Sequence, residues 1–208
     1  MTLIELVIVV VLIGILSAVL APNFKRSNLQ QAANQIISHI RYTQHLALID
    51  DKFSNSDQNW YKKRWQIQFR SGGTPKHWSY VVYHDRSLSG NANSKKEVAR
   101  DPSDPNKWLI GWKISAIGDN FSKKLDLTKS FGIKDVILSP SCSDNNSTRI
   151  AFDYLGRPLK GNISSLNNPY GKNSTNRLIT RQCKITLVDD EKNITIAIEP
   201  ESGYAHKL

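Results

Sequence analysis

An uncharged apolar run near the start of the chain constrains the fold more than any other feature. Between Leu6 and Ala21 there is no charged residue, and only Gly14 and Ser17 are not strongly apolar. An α-helix needs roughly 20 such residues to cross a bilayer. The run therefore predicts a transmembrane helix at the N-terminus.

One carboxylate, that of Glu5, lies at the front of this run. A charged side chain inside a membrane segment costs about 2.5–3.5 kcal/mol on insertion scales, so a retained one usually has a partner or a function. No Lys or Arg lies near enough in the segment to pair with it. The remaining positive group is a free α-amino group at Met1 of a neighbouring copy, displaced by about one turn. We therefore predict that Glu5 is an assembly residue.

Residues 2–6 read Thr-Leu-Ile-Glu-Leu, and the apolar run behind them contains Gly14 and ends at Pro22. Together these features resemble the mature N-terminus of type IV pilins and of the pseudopilins of type II secretion. The resemblance implies cleavage by prepilin peptidase just before residue 1, N-methylation of Met1, and stacking of N-terminal helices into a filament. Two alternatives stay open, an initiator methionine at Met1 and an ordinary uncleaved signal anchor.

The same resemblance implies a structural subunit that polymerises through its N-terminal helix. The implied assembly residues are Thr2, Glu5, Gly14 and Pro22. The implied partners are other pilin or pseudopilin subunits, prepilin peptidase, the inner membrane and its assembly platform. The implied localisation is the inner membrane with a single pass and the C-terminal domain in the periplasm, followed by the assembled pilus or pseudopilus.

After Pro22, apolar residues recur at steps of three and four, which predicts an amphipathic helix to about Ile49. The predicted fold class is α+β, with one long N-terminal helix, transmembrane and then amphipathic, packed on an antiparallel β-sheet domain. The predicted domains are residues 1–24, the transmembrane and assembly half of the helix; 25–53, its amphipathic half; and 54–208, a periplasmic β-rich domain.

Beyond residue 54 the apolar period changes to that of strands. We predict three β-hairpins, at residues 64–83, 149–163 and 183–199, and two further strands at Trp108–Ile114 and Val136–Ser139. A Phe-containing strand that runs into Gly-Arg-Pro, followed by a last hairpin, resembles the H-type minor pseudopilins and FimT-type minor pilins.

The chain has two cysteines, Cys142 and Cys183, both in the β-rich part. In an oxidising compartment an even pair of cysteines predicts a disulfide. Closing a loop of about forty residues would stabilise the fold by roughly 4 kcal/mol in the chain-entropy model. A pair of buried free thiols is the alternative.

The formal net charge is +10 and the pI is about 9.6. Such an excess is typical of proteins that meet polyanions such as DNA, anionic lipid or surface polysaccharide, although ordinary surface charge is the simpler explanation. FimT-type minor pilins are implicated in DNA binding during natural transformation, so the resemblance implies DNA capture as the alternative function. The candidate DNA-binding residues are Lys62, Lys63, Arg64, Arg177, Arg181, Lys184 and Lys207.

No enzyme motif is present: the chain lacks G-x-S-x-G, G-x-x-x-x-G-K-[ST], H-E-x-x-H and C-x-x-C. We therefore predict no catalytic residue and no cofactor. The segment from Asp85 loosely follows the spacing of a calcium loop, but its twelfth position is Lys96 instead of Glu. A polar loop is predicted there in preference to a metal site.

Overall fold

A computed structural model of the chain describes residues 2–20, 28–170 and 177–208, and for residues 16–20 it describes the backbone only. Within these ranges the helices are α1 (Leu3–Leu20), α2 (Asn28–Ile49) and α3 (Leu127–Phe131). The strands are β1 (Trp65–Gly72), β2 (His77–His84), β3 (Arg100–Asp101), β4 (Asp104–Trp108), β5 (Asp135–Leu138), β6 (Arg149–Phe152), β7 (Pro158–Lys160), β8 (Cys183–Val188), β9 (Asn193–Ile198) and β10 (Ala205–Lys207). Single 3₁₀ turns lie at Trp60–Lys63, Lys123–Leu125 and Ile163–Ser165.

The N-terminal part of the structure differs from the prediction. None of the helices in the described ranges is both long enough and apolar enough to cross a membrane. Helix α1 has 18 residues, about 27 Å of helix against a hydrocarbon core of about 30 Å. Helix α2 is longer but amphipathic.

The predicted fold class, with one long helix that first spans a membrane, is therefore wrong. The predicted localisation as a single-pass inner-membrane protein is wrong for the same reason. The implied assembly residue Pro22 and the predicted domain boundary after residue 24 lie outside the described residues.

Helix α2 forms because its apolar residues fall on one face, and it ends at Ile49 as the periodicity predicts. The buried positions of that face include Leu29, Ala33, Ile36, Ile40 and Ala47. Polar residues such as Gln30, Asn34 and Arg41 lie on the exposed side. The buried face packs against strands of both large sheets, and this places α2 at the centre of the domain.

Two four-stranded antiparallel sheets surround this face, with strand orders β2-β1-β6-β7 and β10-β9-β8-β5. All three predicted hairpins are present, as β1–β2, β6–β7 and β8–β9. The strand predicted at Val136–Ser139 is β5, shifted by one residue. The core consists of the inward residues of both sheets, among them Ile67, Ile150, Ile185 and Ile196, all fully buried.

The strand predicted at Trp108–Ile114 is mostly absent, since only its first residue belongs to β4. Successive residues there bond to different neighbours. The Leu109 N–H donates to the Ala99 carbonyl, whereas the Gly111 N–H donates to the Tyr80 carbonyl. A regular strand needs one partner along its length, so this segment stays irregular.

Candidate assembly helix, basic residues and surface grooves

Apart from Glu5, the described side chains of α1 are apolar, and they are exposed. Eleven large apolar side chains between residues 3 and 15 are 47–84% exposed. Leaving apolar surface in water costs about 25 cal/mol per Å² relative to burying it, and contiguous patches of this kind mark interaction sites. Gly14 lies on this open surface, because a Cβ built there meets nothing within 4 Å. The helix can therefore accept a closely approaching partner.

Glu5 has a hydrogen-bond partner within its own chain. The backbone N–H of Thr2 donates to Glu5 Oε2 at 2.7 Å. In the T-x-x-E pattern the glutamate side chain satisfies a free N–H at the start of a helix. The spacing of Thr2 and Glu5 is therefore a sequence signal for helix capping. The prediction for Glu5 includes only an assembly role and misses this signal. Pairing of Glu5 with a neighbouring amine stays a prediction, and Met1 lies outside the described residues.

Two of the three basic residues just before β1 are engaged. Lys63 Nζ pairs with Asp57 at 2.5 Å. The Arg64 side chain lies against the rings of Trp60 and Tyr170, with its guanidinium carbon 5.1 and 4.9 Å from their centroids. Arg64 is only 3% exposed, and burial lowers the pKa of its guanidinium. Neither side chain is free to bind a phosphate without rearrangement.

The other candidate DNA-binding residues do not lie on one secondary-structure element. Arg177 forms an ion pair with Asp144. The four of these that form no ion pair with a described residue are exposed or half-buried: Lys62, Arg181, Lys184 and Lys207. Lys62 precedes the first sheet, whereas Lys184 is in β8 and Lys207 in β10 of the second. The structure does not gather the seven residues on one element, so DNA binding through them stays a prediction.

Cys142 and Cys183 form the predicted disulfide. Both are fully buried, and their Cα atoms are 4.9 Å apart. The bond joins the loop after β5 to the first residue of β8, across a sequence separation of 41. It therefore holds together two segments that are neighbours only in the folded chain.

In the loop with calcium-like spacing, the carboxylates accept hydrogen bonds from groups of the same loop. Asp85 accepts bonds from the N–H groups of Ser89 and Gly90 at 3.0 and 2.7 Å. Burial alone would raise the pKa of Glu97, but hydrogen bonds from groups including the Ser87 hydroxyl and the Asn93 N–H lower it overall. Nowhere in residues 2–20, 28–170 and 177–208 do three or more His, Cys, Asp or Glu side chains form a group that could hold a metal ion.

Two adjoining grooves lie beside the β1–β2 turn, with volumes of about 550 and 440 Å³. Both are lined by Arg70 and Trp112, and the guanidinium carbon of Arg70 lies 5.3 Å from the centre of the Trp112 ring. Ligand sites commonly have volumes in this range. No motif predicts these grooves, because their walls come from segments that are distant in the sequence.

No family model, no curated protein and no solved structure matches this chain significantly. Its function is therefore inferred from its own residues and contacts.

Proposed function

We propose that the chain is a structural, minor subunit of a filament of the type IV pilus or type II secretion pseudopilus class, and that it polymerises through α1. The exposed apolar surface of residues 3–15 is the observation that carries the proposal. The Thr-Leu-Ile-Glu-Leu sequence at residues 2–6 supports it. The partners are other subunits of the same filament.

The energetics favour a helix-mediated assembly. Fully burying one Val, Leu or Ile side chain is worth about 1.5–3 kcal/mol. Association of two proteins costs an estimated 4–15 kcal/mol of translational and rotational freedom. Eleven large side chains, most of them about half exposed, supply enough surface to exceed this cost when neighbouring α1 helices cover one another.

The proposal is tested by placing a charge on α1 and a matched charge elsewhere. Ile8 is 54% exposed on α1, and Ile137 is 52% exposed on β5. We expect Ile8→Lys to lower incorporation into filaments about tenfold or more, since the ammonium group would be buried without a partner. Ile137→Lys should change incorporation less than about twofold, because surface substitutions of this kind cost little.

Incorporation is measured by quantifying the subunit in filaments sheared from the producing cells and imaged by electron microscopy. The thermal unfolding of both variants serves as the folding control. Wild-type incorporation of Ile8→Lys would refute the proposal.

DNA capture is the alternative function. Among the described residues no contact favours it over the structural role, because two of its seven candidate cations already pair with carboxylates and a third is buried.

A further inference from the structure

The two grooves share two lining residues, the cationic Arg70 and the aromatic Trp112, which together form their common wall. The Arg70 side chain is exposed, and its guanidinium carbon lies over the ring of Trp112, which is itself only half-buried. A guanidinium group has its N–H donors in one plane, so it can bind a carboxylate by two parallel hydrogen bonds while it lies against an aromatic ring. The shared wall can therefore bind a negative charge and a flat apolar surface side by side.

The first groove, of about 550 Å³, carries the free positive charge. Its cations Arg70 and Lys129 are exposed and form no ion pair with any described residue. A third cation, Lys113, is already paired with Asp119 at 2.8 Å. The groove thus offers two available cations for an anionic ligand.

The same groove also contains a negative group. The Asp126 side chain lines it, accepts the backbone N–H of Lys129 at 3.0 Å and lies 3.7 Å from His77 Nδ1. A ligand with closely spaced charges would bring one of them near this carboxylate. A ligand with hydroxyl groups would instead find an acceptor in it.

The second groove, of about 440 Å³, has a different chemistry. Apart from Arg70, none of the described residues that line it is charged, and its polar groups include the exposed side-chain amides of Asn91 and Asn93. Amides donate and accept hydrogen bonds without favouring a charge. Ile114 completes an apolar patch next to Trp112. This groove suits an uncharged unit that carries hydroxyl groups and has an apolar face.

We propose that the two grooves bind an acidic oligosaccharide in which uronate and neutral sugar units alternate. The uronate carboxylate binds Arg70 and Lys129 in the first groove. The neutral unit lies in the second groove, where its hydroxyl groups bond Asn91 and Asn93 and the apolar face of its ring packs on Trp112. A single-stranded nucleic acid fits less well, because a phosphate on every unit would place charge in the uncharged groove and near Asp126.

This inference is independent of the proposed filament role, since none of the described side chains of α1 lines either groove. It would hold for an isolated subunit and for a subunit in a filament.

Isothermal titration of the full chain in non-ionic detergent micelles tests the proposal. The probe is a hexasaccharide of alternating glucuronate and N-acetylglucosamine, and we expect a Kd of about 0.1–1 mM, as is reasonable for a shallow polar site. The same hexasaccharide with its carboxyl groups reduced to alcohols should bind about tenfold or more weakly, because a charge-assisted hydrogen bond is lost.

Variants locate the site. Arg70→Gln should weaken binding about tenfold, and Lys129→Gln several-fold. The matched control is Arg100→Gln. The guanidinium carbon of Arg100 also lies over a tryptophan, 3.6 Å from the centre of the Trp108 ring, but Arg100 is not among the residues that line the two grooves. It should bind the hexasaccharide like the wild type.

Three results would overturn the proposal. The first is the absence of binding heat at about 5 mM hexasaccharide, well above the expected Kd. The second is unchanged affinity in Lys129→Gln, because the proposal requires the ammonium group of this exposed residue to bind the uronate. The third is tighter binding of a hexathymidylate oligonucleotide than of the hexasaccharide, which would assign the grooves to nucleic acid.

Discussion

Gly203 lies where the C-terminal end of the chain meets α2. Its φ is 65°, and a Cβ there would come within 2.6 Å of both Gln44 Nε2 and the Gly156 carbonyl oxygen. Gln44 Nε2 donates to the carbonyls of Gly156 and Ser202 at 2.8 and 2.7 Å. One amide on α2 thus holds two separate turns, and the space for it exists only because residue 203 has no side chain.

We predict that Gly203→Ala lowers the free energy of unfolding by about 3–4 kcal/mol. About 1–2 kcal/mol is the cost of a left-handed backbone for alanine, and the rest is the loss of the two Gln44 hydrogen bonds. Gly118→Ala is the matched control, since Gly118 has the same φ of 65° but open space around its Cβ position. It should lose about 1–2 kcal/mol only. Urea denaturation measures both, and equal losses would contradict this account.

Single residues also show why the candidate DNA-binding residues could not be judged from the sequence. Lys63 and Arg177 are paired with Asp57 and Asp144. Arg177 and Asp144 are distant in the sequence, so composition alone cannot show that they meet. Arg64 is buried although arginine is one of the residues most often exposed. Charge can be counted from a sequence, but its availability depends on the fold.

At the scale of secondary-structure elements, the start of α1 combines two possible roles for Glu5. The Thr2 N–H bond caps the helix, and the proposed pairing with a neighbour's amine would hold the filament. A glutamine can accept the same N–H bond but has no charge. The two roles can therefore be separated by comparing Gln and Ala at this position.

We predict that Glu5→Gln keeps the helix content of the wild type but lowers filament incorporation about tenfold, because the pairing needs the carboxylate charge. Glu5→Ala should lower incorporation to the same extent and should also destabilise the first turn of α1 by about 1 kcal/mol, because the capping hydrogen bond is lost. Circular dichroism and the filament assay measure the two effects. Normal incorporation of the Gln variant would leave Glu5 with the capping role alone.

Elements differed in how well they could be predicted. Helix α2 and the three hairpins repeat a pattern over many residues, so their periodicity is distinct. Helix α3 has five residues, too few for a periodic signal, and its marker is the Asp126 N-cap that accepts the Lys129 N–H. The ribbon of β3 and β4 is also short, with a register shift between Arg100 and Asp101.

At the scale of the whole molecule, two histidines make stability depend on pH. His84 Nδ1 is buried and has no hydrogen-bond partner among the described residues. Burial first, and then the charge of Lys52, lower the pKa of His84 to about 4, and burial also lowers the pKa of His39. Both side chains bind protons more weakly in the folded chain than in the unfolded chain. Their contribution to stability is therefore full above pH about 6.5 and is lost as the pH falls towards 4.

We predict that the free energy of unfolding decreases between pH 6.5 and 4, with about 1–2 kcal/mol of the decrease due to His84 after allowance for solvent screening. His84→Gln should flatten this part of the pH profile. His45→Gln, at an exposed position of α2, should leave it unchanged. Thermal melts in a pH series measure the effect, and a wild-type slope in His84→Gln would contradict it.

The sequence by itself determined those features that depend on near neighbours in the chain: the amphipathic period of α2, the three hairpins and the apolar composition of residues 3–15. It also predicted the disulfide, because Cys142 and Cys183 are its only two cysteines. Only the tertiary structure decided which side chains meet when they are far apart in the sequence, as in the contact between Arg70 and Trp112 and in the contacts around Gly203. It also corrected the membrane-spanning helix. The physical reason is that local periodicity follows from backbone geometry, whereas long-range contacts depend on how sheets and helices pack.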